Sequence, residues 1–183
     1  INWDLWAIAT MMLAIYWFDR KAYLYSSIAL AASISTKFLP VFLLLPIIFI
    51  LWRSNQIREM VKYAATTVAI WLAINLPFAL TTPTGWWRFY KLNLSREADW
   101  GSLWLAFSQL GLGLANLNYL AVLLLLIGLT SFVIFLFEVK NTPTLASVAF
   151  IVLAIVMVAS KVYSPQYVLW LTPLAVIALT HKK

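Results

Sequence analysis

The chain contains no cysteine, and its single histidine, His181, stands among the last three residues. The first absence excludes disulfides and thiolate metal sites; the second leaves no set of imidazoles for a metal. Charge is also sparse, with Asp, Glu, Lys and Arg making up 10% of the residues, where soluble domains carry about a quarter. Six acids stand against thirteen Lys and Arg, so general acids and bases are few. No nucleophile elbow, phosphate-binding glycine loop or metal-ligand cluster occurs anywhere in the sequence. Neither a cofactor nor a metal is expected.

What is present is apolar. Hydrophobic residues make up 64% of the chain and the mean hydropathy is +0.91, which together point to an all-α integral membrane protein. The formal charge of +7 reads as topology and contact with anionic headgroups. No soluble basic domain is left over to bind nucleic acid. The chain opens at Ile1 without Met or a charged leader, so the expectation is the C-terminal part of a longer protein, one transmembrane domain over residues 1–183.

Seven apolar segments stand out: 3–18, 22–36, 38–52, 63–80, 119–137, 144–160 and 167–180. Several are shorter than the ~20 residues a spanning helix needs, which leaves tilt, local thinning or partial re-entry open. The second is rich in Ala and Ser (Ser26, Ser27, Ala29, Ala31, Ala32, Ser33), the pattern of a helix packed closely on its neighbours. Alternating the spans places Arg20, Lys21, Arg53, Arg58, Lys62, Lys140, Lys182 and Lys183 on one side. Lys37, Arg88, Lys91, Arg96 and Lys161 fall on the other. Eight cations against five make the first side cytoplasmic. Asn2, Asp4, Lys37, a large loop over 81–118 and the 161–166 segment then share the external face of the cell membrane.

That face carries the chemistry. The run Ser160-Lys161-Val162-Tyr163-Ser164-Pro165-Gln166-Tyr167 sits between two apolar stretches, where polar and ionisable groups mark function more often than chance. The loop holds Trp86, Trp87, Arg88, Tyr90, Lys91, Arg96, Glu97, Asp99 and Trp100. Its aromatics suit an interfacial anchor, its cations a lipid phosphate. Ser102 is placed to cap a helix from Leu103 to about Leu110, with Gly111 and Gly113 ending it. Lys37 and Lys161 each close a span and precede a proline, as snorkelling lysines also do. Asp4 at the start of the first span fits a helix-terminal carboxylate or a contact to a sugar hydroxyl. Glu97 and Asp99 are candidate bases or ion-pair partners of Arg96.

Four blocks in order resemble bacterial glycosyltransferase family 87. They are Asn2-Trp3-Asp4-Leu5, Thr36-Lys37-Phe38-Leu39-Pro40, the stretch from Asn93 to Trp104, and Lys161-Val162-Tyr163-Ser164-Pro165-Gln166-Tyr167-Val168-Leu169-Trp170. The resemblance covers nearly the whole chain. It implies a GT-C-type membrane enzyme that moves a sugar, typically mannose, from a polyprenyl-phosphate donor to a lipid or glycolipid acceptor, without a nucleotide sugar or an obligatory metal. It also implies that the catalytic acid lies in a first external loop not found here, so Asp4 and Asp99 are candidates for support. Inverting transfer needs a base for the acceptor hydroxyl and cations for the leaving phosphate. Lys37, Arg96 and Lys161 fit the second task, and Tyr163 and Gln166 the orienting of phosphate or sugar oxygens. Two other classes compete: a lipid or sugar transporter, disfavoured because charges gather at span ends, and a non-catalytic scaffold, which would tolerate loss of Lys37 and Lys161.

Overall fold

A computed structural model describes residues 3–112 and 115–180, so the readings of Asn2, Gly113, His181, Lys182 and Lys183 fall outside the described residues. Every regular element among the described residues is helical. The chain forms α1 (Asp4–Asp19), α2 (Tyr23–Thr36), a 3-10 turn (Leu39–Leu43) running into α3 (Leu44–Arg53), and α4 (Ile57–Thr81). Next come α5 (Pro83–Ser95), α6 (Leu103–Gln109), α7 (Leu117–Glu138) and α8 (Leu145–Ala159). A 3-10 turn (Pro165–Tyr167) then leads into α9 (Val168–Thr180).

The connections from α1 to α2 and from α3 to α4 are tight for a local reason. Lys21 and Asn55 adopt left-handed backbone angles (φ 59° and 57°). The N–H groups that follow reach back to the last turn, Ala22 to Trp17 O at 2.9 Å and Gln56 to Leu51 O at 2.9 Å. Both are Schellman closures, which satisfy the helix's orphan carbonyls. Each pair of helices therefore runs antiparallel with a short turn at the same end, where Tyr23 also donates to Gln56 Oε1 at 3.1 Å.

The core lies between α1, α2, α3, α8 and α9, with Ala7, Met11, Leu30, Leu51, Leu153 and Trp170 inaccessible to solvent. The small residues of α2 do what their composition suggests: Ser26, Ala29, Ala31 and Ser33 are buried. The backbones of α1 and α2 come close enough for Ser26 Oγ to donate to Ala14 O at 2.7 Å and Ser33 Oγ to Ala7 O at 2.6 Å.

The two longest apolar helices, α4 with 25 residues and α7 with 22, lie at the margin of this core, to which α4 gives Tyr63, and only 6% and 11% of their most apolar stretches are buried. By length and composition both are able to cross a membrane. The other apolar helices are shorter: α1 and α8, with 16 and 15 residues, span only about 24 and 22 Å at 1.5 Å per residue.

Two sequence expectations are refined. The fourth segment begins at Ile57 rather than Tyr63, because the closure at Asn55 starts the helix six residues earlier than the apolar run. The large loop is not loop throughout, since residues 83–95 form α5. Pro83 supplies a first-turn φ without needing a hydrogen bond, and Trp86 and Tyr90, one turn apart, pack with ring centroids 4.9 Å apart. The cap at Ser102 is as expected, its Oγ accepting from Leu105 N–H at 3.2 Å. Gly111 (φ 81°) then closes α6, with Leu112 N–H on Phe107 O at 3.1 Å.

Candidate functional site

The end of the bundle opposite the tight turns gathers the described candidate site residues Asp4, Lys37, Arg96, Asp99, Lys161, Tyr163 and Gln166. The start of α1, the end of α2, the C-terminal half of α4, α5, α6, the start of α7 and the 160–167 segment meet there. The helix ends arrive by alternation. The extra chain between α4 and α7 then folds back over them, with Trp86 Nε1 donating to Asn75 Oδ1 at 3.4 Å and the Phe38 and Tyr90 rings edge to face at 6.1 Å.

Lys161 is the centre of one cluster. Its ammonium donates to the carbonyls of Arg96 at 2.7 Å, Asn93 at 3.1 Å and Leu94 at 3.3 Å, and to Asn118 Oδ1. Three N–H bonds serve four acceptors, so they are shared. These carbonyls are the orphan acceptors at the C-terminus of α5, and a cation there also complements the helix dipole. The Lys161 carbonyl accepts from Asp99 N–H at 3.0 Å, which pins the loop to the same spot. Burial and the nearby Arg96 guanidinium hold the Lys161 ammonium below the usual lysine range.

Arg96 and Asp99 form an exposed ion pair at 2.9 Å, and Asp99 Oδ1 also accepts from Trp100 N–H at 2.8 Å. Tyr163 packs on the left-handed turn at Gly101 (φ 73°), where a Cβ would lie 3.1 Å from the Tyr163 ring. Tyr163 and Tyr167 meet edge to face at 5.6 Å. Gln166 lies exposed on the 3-10 turn before α9.

Beside Lys161 runs a groove of about 240 Å³ between α7 and α8. Arg96, Ser160 and Lys161 line one end of it; Val122, Leu125 and Val156 line the other. A cationic, hydrogen-bonding end joined to an apolar trench suits an amphiphile with an anionic head. Further along, α7 and α8 pack closely: a Cβ on Gly128 of α7 would stand 2.6 Å from Ile155 Cγ2 of α8.

Asp4 and Lys37 belong to a second cluster, and they are given to each other. The Asp4 carboxylate is buried and paired with the Lys37 ammonium, while Trp170 Nε1 donates to its other oxygen at 3.4 Å. The pair ties α1 to the end of α2 and to α9. Asp4 lies in the first turn of α1, the helix-terminal position expected from the sequence. The two clusters are neighbours, since Tyr167, which lines the groove beside Lys161, feels the charges of both Asp4 and Arg96. Among the described residues, no three His, Cys, Asp or Glu side chains come together as a metal site.

Sequence reasoning missed Asn75 and Asn118. Asn75 was visible as a polar residue deep in an apolar run, next to the Leu76-Pro77 step. Asn118 gave no signal, because its part depends on the folded position of α5. Comparison of the chain with protein-family models, curated proteins and solved structures found no match.

Proposed function

We propose that this chain is part of a multi-pass membrane glycosyltransferase of the GT-C type. It takes a sugar, mannose first among candidates, from a polyprenyl-phosphate donor and passes it to a lipid or glycolipid acceptor. The observation that carries this reading is the groove between α7 and α8, where Arg96 and Lys161 border an apolar trench. A prenyl phosphate has that same division into anionic head and hydrocarbon tail. The ordered resemblance to family 87 supplies the sugar chemistry that the groove alone does not specify.

The membrane setting rests on apolar exposure. Val122, Leu123, Leu126, Ile127 and Ile134 of α7, and Val68, Leu72 and Phe78 of α4, all lie open. A contiguous apolar surface of this kind favours lipid over water. In this reading seven apolar segments thread the bilayer, the shorter ones packed in the core of the bundle, and the cation distribution supports an external position for the groove.

In the transfer, Arg96 and Lys161 stabilise the charge that grows on the departing phosphate. A phosphate oxygen replaces one of the four acceptors that Lys161 shares. Tyr163 and Gln166 flank this point on the connection to α9. Asp4 and Asp99 act as counter-ions for Lys37 and Arg96, so the base for the acceptor hydroxyl is assigned to neither. A second reading, a non-catalytic membrane subunit, draws on one observation: the Lys161 ammonium is already engaged as a cap for α5.

The deciding experiment reconstitutes the protein in nanodiscs with radiolabelled polyprenyl-phosphate mannose and a membrane-lipid extract. Label moving into a new lipid supports the transferase. A well-folded protein that moves none, with any acceptor, leaves the subunit reading.

A further inference from the structure

A cavity of about 180 Å³ opens between α2, α4 and α5, lined by Ser35, Lys37, Trp71, Asn75, Trp86 and Tyr90 among others. That is the space of roughly six waters at ~30 Å³ each, and it lies below the ~300 Å³ at which pockets for drug-sized ligands begin. We propose that this cavity is a subsite for one pyranose ring, stacked on the Trp86 and Tyr90 aromatics and hydrogen-bonded by Ser35, Lys37 and Asn75. The inference rests on the sugar-transfer reading and names where a sugar of that reaction sits.

The lining selects this occupant by its mixture of groups. Aromatic rings carry a negative face, onto which the weakly positive axial C–H bonds of a pyranose settle. Trp86 and Tyr90 present such rings at 4.9 Å from one another, and burial pushes the Tyr90 phenol up from its ordinary range. The polar groups are fixed in place. Asn75 Nδ2 donates to Ser35 Oγ at 3.1 Å and to Trp71 O at 2.9 Å, and Asn75 Oδ1 accepts only a long 3.4 Å bond from Trp86 Nε1. This leaves the Ser35 hydroxyl and the Lys37 ammonium as donors and Asn75 Oδ1 as an acceptor. A polyhydroxylated ring satisfies both kinds at once. A prenyl chain satisfies neither and leaves them unpaired, and a phosphodiester, which carries no P–OH, brings no donor for Asn75 Oδ1.

Position supports the same conclusion. Asn75 sits on α4, a helix long and apolar enough to cross a membrane, where a polar side chain is costly without a purpose. Lys37 lines the cavity and pairs with Asp4, and the charge of Asp4 acts on Tyr167 at the edge of the phosphate groove. Ring and phosphate therefore fall at the same end of the bundle, as a transfer between them requires.

Saturation-transfer NMR with methyl α-mannopyranoside tests this on the protein in nanodiscs, with or without a short-chain prenyl phosphate. The expected result is saturation of the ring protons in the wild type. Asn75→Leu and Tyr90→Leu should each weaken binding about tenfold, whereas Tyr90→Phe and the remote Glu59→Gln retain it. Unchanged binding in the presence of prenyl phosphate marks the acceptor's sugar, and competition by prenyl-phosphate mannose alone marks the donor's; either outcome supports the subsite. Absence of ring saturation in the wild type overturns it, as does wild-type binding in folded Tyr90→Leu. Should Asn75→Leu fail to fold, the contrast between Tyr90→Leu and Tyr90→Phe decides. Sugar binding without label transfer would keep the subsite and sink the transferase; transfer with binding indifferent to Tyr90→Leu would do the reverse.

Discussion

Two cations close helix C-termini at opposite ends of this bundle. At the end with the tight turns, Arg53 donates to the carbonyls of Leu136 at 2.8 Å and Lys140 at 2.9 Å, and to that of Val139, in the last turn of α7 and just beyond. At the other end, Lys161 does the same for α5. The electrostatics match: a positive charge meets orphan carbonyls and the negative end of a dipole. The surroundings differ. Around Arg53 lie Schellman turns, and Arg20 stacks over the Tyr16 ring at 4.3 Å. Around Lys161 lie a groove, an aromatic cavity, a buried ion pair and two short helices. The same device is architecture at one end and borders a ligand-sized space at the other, so capping alone does not reveal function; the adjoining space does.

Substitutions sharpen that contrast. The largest effect is expected at the buried pair, where Lys37→Ala leaves the Asp4 carboxylate without its cation, at about 3 kcal/mol of stability. Asp4→Asn combined with Lys37→Met should recover much of this, read from thermal unfolding in detergent. Losses that simply add would break the pairing. Next comes function: Lys161→Ala should lower transfer per folded molecule about a hundredfold, near 2.7 kcal/mol of barrier. Arg53→Ala, at a comparable or greater loss of folded yield, should leave it within a few-fold. Equal losses of yield and transfer in Lys161→Ala would reduce that lysine to a cap like Arg53.

A smaller effect is expected from Gly128→Ala. Its methyl meets Ile155 at 2.6 Å, so α7 must shift or Ile155 rotate, at about 1.5 kcal/mol. The variant should widen the groove and weaken prenyl-phosphate affinity while leaving the far end unchanged, which hydrogen exchange would show.

The smallest effect is in pH. Because burial and Arg96 lower the folded-state value for Lys161, the folded protein sheds this proton at a lower pH than the unfolded chain. Between the two values the unfolded chain binds more protons, so stability rises with pH there. Affinity for a prenyl phosphate falls across the same window, because the cation is being lost. Lys161→Arg should flatten both trends, since a guanidinium stays charged; binding measured against pH in the alkaline range checks it.

Much of the helical layout was legible because apolar runs and end charges are local signals. Six of the seven segments match their helices to within a few residues, counting the 3-10 lead-ins at Leu39 and Pro165. The Ala and Ser content of the second marked its close packing on α1, and Ser102 and Gly111 marked the bounds of α6. α5 was hidden because its Trp, Arg and Lys content resembles a surface loop when read singly. The helix shows only in the one-turn spacing of Trp86 and Tyr90 behind Pro83. Lys37, Arg96, Asp99, Lys161 and Tyr163 were all picked out, and the local Arg96–Asp99 pair with them, but the distant partners of Lys37 and Lys161 were not. An ion pair spanning 33 positions (Asp4 to Lys37) and carbonyls 65 to 68 positions from Lys161 leave no local trace. Asn75 did leave a local signal, a polar residue in an apolar run, but its worth depends on Ser35 and Trp86, which the fold brings near.

The most direct test of the central claim is to locate the lipid. A polyprenyl phosphate carrying a diazirine in its tail would be photolysed with the protein in nanodiscs and the labelled residues mapped by mass spectrometry. Label is expected on α7 and α8 around Val122, Leu125 and Val156, displaced by unlabelled polyprenyl-phosphate mannose and diminished in Lys161→Ala. Label concentrated at the Arg53 end, or spread over α4 and α7 alike without displacement, would contradict that claim.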